Sequence, residues 1–242
     1  MYDLKLLSKK EIHAVLEDYL LRDFGDEEVL PNILTKELAE RHLLKAIGLY
    51  KGDELTTYGL FHTIEPHTRS LLGYFATLEP YRNQGLGSKY FELLHEAFES
   101  GRTTLGRETS EDTSELIAST TSRGDNFQAN VDSKLQRFFI EVDEPSFAPN
   151  PTEAEHRQRR IDFYKRNGFQ LTPLISHILH SKFRIMICDY ADIPNDAATC
   201  QRELLTLYRT LFAEHFLTDH VAVSIDKEAR ESGQTQLKAS RN

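Results

Sequence analysis

Residues 2–7 alternate apolar and polar side chains, the two-residue period of a strand. Over residues 9–24 the period lengthens. Ile12, Val15, Leu16, Tyr19 and Leu20 recur on one helical face, and Ser8 followed by Glu11 reads as a capping box. A second helix is expected over residues 32–44. The apolar run 46–50, a Gly52-Asp53 turn and residues 55–64 then read as a hairpin. Residues 71–78 form the next strand, which runs into the turn Arg82-Asn83-Gln84-Gly85-Leu86-Gly87. From Tyr90 to Phe98 the helical period returns.

Residues 100–131 break this patterning. They are rich in Thr, Ser, Glu and Gly, with a short helix expected around 113–119. They read as a polar insertion, for which both a lid and a surface loop without a role fit. Strand character resumes over 135–142, followed by a loop at 145–151 and a helix over 152–167 that Gly168 ends. Residues 169–172 and 183–188 read as strands, 200–216 as a final helix. The pattern describes one α/β domain over residues 1–225, with a polar tail at 226–242.

Composition narrows the classes. With 28% charged and 39% hydrophobic residues in 242, a globular chain with a full core is expected. No apolar run nears the ~20 residues of a membrane span, and the first residues lack the apolar centre of a signal peptide. The net charge of −9 argues against a nucleic-acid surface and is compatible with a cationic substrate or with plain solubility. Cys188 and Cys200 make neither a disulfide framework nor a metal cluster. His156, His177 and His180 lack paired metal-ligand spacing, so no metal is expected. A cytoplasmic protein follows as the expectation.

The glycine turn carries the chemistry. Strand, tight turn and helix aim several backbone N–H groups at one anion, and Arg82 adds a fixed positive charge. A Walker loop and a dinucleotide fingerprint are both excluded by their missing residues. Further on, Phe163-Tyr164-Lys165-Arg166-Asn167-Gly168-Phe169 closes a helix and opens a strand. In this order, the two stretches resemble the signatures of the GCN5-related N-acetyltransferase (GNAT) superfamily. These are an Arg/Gln-x-x-Gly-x-Gly/Ala loop that holds the pyrophosphate of acetyl-coenzyme A, and a helix ending in Phe-Tyr-x-x-x-Gly-Phe. The likeness covers mainly residues 45–98 and 135–172.

That resemblance implies an α/β fold with a central mixed, mostly antiparallel sheet, helices on both faces, and a splayed strand pair holding acetyl-CoA. It implies cofactor contacts from Arg82, Asn83, Gln84, Gly85, Leu86, Gly87 and Ser88. The strand edge at Thr77 and Leu78 would pair with the pantetheine arm. Pro80 directly precedes Tyr81, a departure from many members, so Thr77 versus Leu78 stays open. Where the family often has Asn and Ala, this chain has Arg157 and Arg160, and Arg160 is expected to meet coenzyme A phosphate. Arg159 reads as a solvated charge.

Tyr164 matches the tyrosine that many members use to protonate the departing thiolate. An amine attacking a thioester must be neutral, and its ordinary pKa near ~10 calls for a base. Glu141 is the expected base or amine anchor. Asp143 and Glu144 share its strand end, and His62, Glu65 and His67 near a hairpin end are weaker choices. No cysteine lies in either motif, so direct attack in a ternary complex is expected, not an acetyl-enzyme. The expected function is acetyl transfer to a small-molecule or peptide amine, without nucleic acid or membrane partners, and with a homodimer left open. The alternatives are a catalytically inactive coenzyme A sensor and a protein-interaction module.

Overall fold

A computed structural model describes residues 2–24, 38–40, 43–63, 69–99 and 136–226. The chain parts into two compact units, Met1–Gln136 and Arg137–Asn242. Each contributes four strands, and every described pairing is antiparallel.

In the first unit the strands are β1 (Tyr2–Leu6), β2 (Leu44–Lys51), β3 (Glu54–Thr63) and β4 (Arg69–Thr77), paired in chain order. Helix α1 (Lys9–Val15) starts as its sequence dictates: the Ser8 hydroxyl accepts from the Glu11 amide, and the Glu11 carboxylate accepts from the Ser8 amide at 2.8 Å. The expected helix over 9–24 is not uniform. It widens into a π-helical turn at Leu16–Leu20 before α2 (Leu21–Phe24). The expected helix over 32–44 is also corrected. Residues 38–40 are helical, but Leu44 already belongs to β2, and 32–37 lie outside the described residues.

Helix α3 (Leu86–Glu99) buries Leu86, Tyr90, Phe91, Leu94, Ala97 and Phe98, the stripe its helical period requires. The Tyr90 hydroxyl donates to the Ile47 carbonyl at 3.3 Å and lies over Gly59. The neighbouring Tyr58 hydroxyl donates to Asp23 of α2. Successive strand residues face opposite ways, so α2 and α3 cover opposite faces of this sheet. Truncating a fully buried ring such as Phe91 would cost about 3–5 kcal/mol.

In the second unit β5 (Arg137–Asp143), β6 (Gln170–Ile178), β7 (Ser181–Asp189) and β8 (Val221–Ile225) pair in the order β5-β7-β6-β8. Helix α4 (Pro151–Arg166) is capped by Asn150, whose side chain accepts from the Glu153 amide. The loop before it contains a 3-10 turn at Pro145–Phe147. The expected final helix over 200–216 is instead α5 (Ala197–Leu211) and α6 (Glu214–His220), followed by the unforeseen β8, which pairs with β6. Arg137 is fully buried and holds Asp189 at 2.6 Å and 2.9 Å and Glu203 at 2.7 Å, tying β5 to the end of β7 and to α5. The insertion at 100–131 and residues 227–242 of the tail lie outside the described residues.

Candidate functional site

The loop after β4 has the form its sequence implies. A 3-10 turn at Glu79–Tyr81 leads through Arg82, exposed Asn83 and Gln84 to Gly85 and then α3. Asn83 and Gly85 take φ of 61° and 75°, the left-handed region. Glycine enters it without penalty, and asparagine is among the side chains that tolerate it. Two left-handed residues in three reverse the chain and leave the amides of Leu86, Gly87 and Ser88 at the start of a helix, where no intrahelical acceptor exists. No acidic residue occupies the first turn of α3 to oppose an anion. A Cβ built at Gly85 meets no atom within 4 Å, so the surface over the turn is open.

Four of the expected cofactor residues of this loop have partners in the fold. The Arg82 guanidinium donates to the Thr77 carbonyl at 3.0 Å and to Asp23 at 3.0 Å. The Leu78 amide donates to Thr56 at 2.9 Å, and the Thr77 hydroxyl lies 3.2 Å from that of Thr57. The Gln84 side chain donates to the Pro80 carbonyl at 3.0 Å. Arg82 thus braces the turn against both the strand that enters it and the end of α2.

In the second unit Tyr164 sits near the end of α4, buried, with its ring 5.6 Å from that of Phe169 and 5.3 Å from that of Phe163. Burial pushes its hydroxyl up to about 12, opposed by the charge of Arg160. It is therefore a neutral donor at physiological pH. Arg160 is ion-paired with Asp143 at 2.8 Å, and Arg157 with Glu153 at 3.1 Å while also donating to the Glu144 carbonyl. Arg159 is exposed beside Glu155, as expected.

Glu141 and Asp143 go to different partners although the strand period groups them. One Glu141 oxygen accepts from both the Tyr208 hydroxyl of α5 and the Ser176 hydroxyl of β6. Burial raises the Glu141 carboxyl above the ordinary carboxylate range; the two hydroxyls work against this, and Asp143 adds to it. Glu144 differs. Burial would raise it too, but the Ser146 amide and hydroxyl and the Arg184 guanidinium outweigh that and lower it. Tyr208 and Ser176 were missed from sequence, because Tyr208 lies on the apolar face of the final helix and Ser176 lies beyond the strand expected over 169–172. His62, on β3, is 2% exposed. Glu65 and His67 lie outside the described residues.

Among the described residues no group of His, Cys, Asp or Glu is arranged to hold a metal ion. No described helix is long and apolar enough to cross a membrane.

The chain has the fold of the GCN5-related N-acetyltransferases. It is similar to a candidate acetyltransferase of the GNAT family from Bacteroides thetaiotaomicron, with a TM-score of 0.58, 16% identity, and coverage of 87% of this chain and 99% of that one. It overlaps less with the ribosomal-protein-S18-alanine N-acetyltransferase of Escherichia coli, at a TM-score of 0.46, 12% identity, and 81% and 98% coverage. The values for an N-acetyltransferase of Staphylococcus aureus Mu50 are 0.48, 10%, 78% and 98%. No family model and no curated protein matches the sequence.

Proposed function

We propose that this protein transfers an acetyl group from acetyl-CoA to a primary amine by direct attack. The observation that carries this reading is the turn after β4. Left-handed Asn83 and Gly85 and the acid-free start of α3 make an open anion cradle at the place where the fold calls for one. The donors to a pyrophosphate are the amides of Asn83, Gln84, Gly85, Leu86, Gly87 and Ser88. Arg82 contributes by fixing the turn, with its exposed guanidinium edge as a further positive charge. Of the two strand-edge candidates, Thr77 is the one to pair with the amide-bearing arm, because the Leu78 amide is bonded to Thr56 and its carbonyl to the Tyr81 amide. Acetyl-CoA supplies the activated acyl group, a thioester.

In this reading Glu141 takes the proton of the amine, directly or through water, and its raised pKa brings it closer to the working pH. Tyr164 gives its proton to the departing thiolate. Arg160 holds phosphate at the cost of its pair with Asp143. The acceptor is a small-molecule or peptide amine. Cys188 and Cys200 are buried thiols outside any disulfide, which suits a reducing compartment, in line with a cytoplasmic protein.

Calorimetric titration with coenzyme A, followed by acetyl-CoA consumption over a panel of amines, tests the reading. Binding together with amine-dependent consumption supports it. Binding without consumption by any amine would identify a coenzyme A sensor, and absence of binding would leave the fold as an interaction module.

A further inference from the structure

Strand β4 changes character at Gly73. Ser70, Leu71 and Leu72 are buried, Gly73 is exposed, and Phe75, Ala76 and Thr77 are half-buried up to the glycine turn. The pairing with β3 is irregular at the same point. Leu60 faces Tyr74 and Phe61 faces Leu72, so Gly73 is passed over in a β-bulge. Apart from buried Tyr74, the residues of β4 from the bulge to Thr77, beside the anion cradle, are at least partly accessible. From Gly73 to Leu78 an extended strand spans roughly 17 Å at about 3.3 Å per residue. An extended pantetheine arm leaving a pyrophosphate in the cradle would bring its acyl end to the Gly73 end of this track.

His62 waits at that end. A Cβ built on Gly73 would lie 2.6 Å from His62 Nε2 and 2.8 Å from its Cδ2, so the ring occupies the space that glycine leaves open. Any side chain at position 73 would drive the imidazole away. His62 Nδ1 is buried and has no hydrogen-bond partner. Buried polar atoms normally find partners, and an unmet N–H is rarer than an unmet lone pair. The proton therefore belongs on Nε2, leaving Nδ1 with its lone pair, and the N–H lies on the Gly73 side. Burial lowers the imidazole pKa to about 4, so the ring is neutral at physiological pH. A neutral imidazole is a poor base there but a serviceable donor.

We propose that His62 is a catalytic hydrogen-bond donor to the acyl carbonyl oxygen, its Nε2–H reaching that oxygen through the gap at Gly73. This rests on the acetyl-CoA reading above. The attacking nitrogen uses its lone pair to form the C–N bond while the carbonyl π electrons move onto oxygen. His62 stabilises that developing negative charge without transferring its proton. As the carbonyl re-forms, the C–S bond breaks, and the sulfur keeps the bonding pair and takes a proton. The nitrogen loses one proton to the base. A donor kept neutral and apolar on its other side also leaves an approaching amine without a competing cation.

The test reads the carbonyl itself and needs no acceptor. Acetyl-CoA labelled with carbon-13 at the carbonyl is bound to the wild type, His62→Phe and His62→Gln, with binding followed by calorimetry and the carbonyl stretch by isotope-edited infrared spectroscopy. The expected result is a lowered stretching frequency in the wild type. It should return to the free-ligand value in His62→Phe and be partly kept in His62→Gln, which retains an N–H. Gly73→Ala should lose the shift as well. Bound ligand with the same band in wild type and His62→Phe overturns the role of His62 and leaves the acetyl-CoA reading standing. No binding by the wild type overturns that reading and the His62 proposal with it.

Discussion

Asp23 at the end of α2 and Arg82 in the glycine turn meet at 3.0 Å, and the same carboxylate accepts from the Tyr58 hydroxyl at 3.1 Å. The Asp23 side chain is only 1% exposed. A buried carboxylate between a tyrosine and a guanidinium fixes where the turn begins. Replacing it leaves the buried Tyr58 hydroxyl without its acceptor and the Arg82 guanidinium without its carboxylate. Asp23→Ala is expected to destabilise the protein by about 1–3 kcal/mol, measured by denaturant unfolding. Coenzyme A affinity should fall further than this loss of stability explains, because the turn loses its brace.

Gly85 and Gly87 separate backbone strain from obstruction. At a φ of 75°, Gly85→Ala should cost roughly 1–2 kcal/mol, whereas Gly85→Asn should be milder. The apo protein therefore loses thermal stability in the alanine variant even though nothing crowds the new Cβ. Gly87, inside the first turn of α3, carries no such constraint. Gly87→Val should leave the apo unfolding midpoint nearly unchanged while weakening coenzyme A binding in calorimetry. Unchanged affinity would remove this turn from the cofactor site.

Much of this fold is legible in the sequence because its elements have clean periods. The Ser8–Glu11 box, the hairpin around Gly52-Asp53 and the apolar stripe of α3 each encode themselves locally. The π turn at Leu16–Leu20 is not local information, since a helical stripe does not record one widened turn. β8 was missed because Val221–Ile225 is short and gains its hydrogen bonds from β6, far back in the chain. The candidate site divides the same way. Gly85 and Tyr164 announce themselves by motif, whereas the Tyr208 and Ser176 bonds to Glu141 exist only once α5 and β6 are packed. His62 is legible only as a weak candidate near a hairpin end, because the room that Gly73, a bulge residue, makes for its ring exists only once β3 and β4 pair.

His62 also predicts a response to acid. Its folded pKa of about 4 lies below the unfolded value near 6.5, so the unfolded state binds the proton more readily. Its contribution is fully present above pH 6.5 and is lost as pH falls through 4. The full loss is roughly 3 kcal/mol, from ~1.4 kcal/mol per unit. The stability of the wild type relative to His62→Phe, measured by unfolding curves, should therefore fall by that amount as pH drops from 6.5 through 4, whatever the difference at neutral pH. Parallel curves across that window would deny the imidazole its buried neutral state.

Tyr164→Phe removes one hydroxyl and keeps the packing against Phe169. If that hydroxyl protonates the leaving thiolate, turnover should fall by ~10²-fold or more, with coenzyme A affinity nearly unchanged. With the hydroxyl pKa near 12, no basic limb from Tyr164 is expected below pH 10. Near-normal turnover in Tyr164→Phe would make it a packing residue.

Glu141 and Tyr208 supply the sharpest pH test. Burial raises the Glu141 carboxyl, and the Tyr208 and Ser176 hydroxyls pull it back. A base must be ionised, so the rate should fall on the acidic side of that carboxyl's pKa. Tyr208→Phe removes a donor that favours the ionised form, so the acidic limb should move to higher pH while the plateau rate is largely retained. Ser176→Ala should move it the same way. Glu141→Gln should lower the rate and abolish the limb. If Glu141 instead only anchors a cationic acceptor, KM should rise in Glu141→Gln while kcat survives. A Glu141→Gln profile that superimposes on the wild type would exclude both roles and turn attention to Asp143, whose carboxylate is already committed to Arg160.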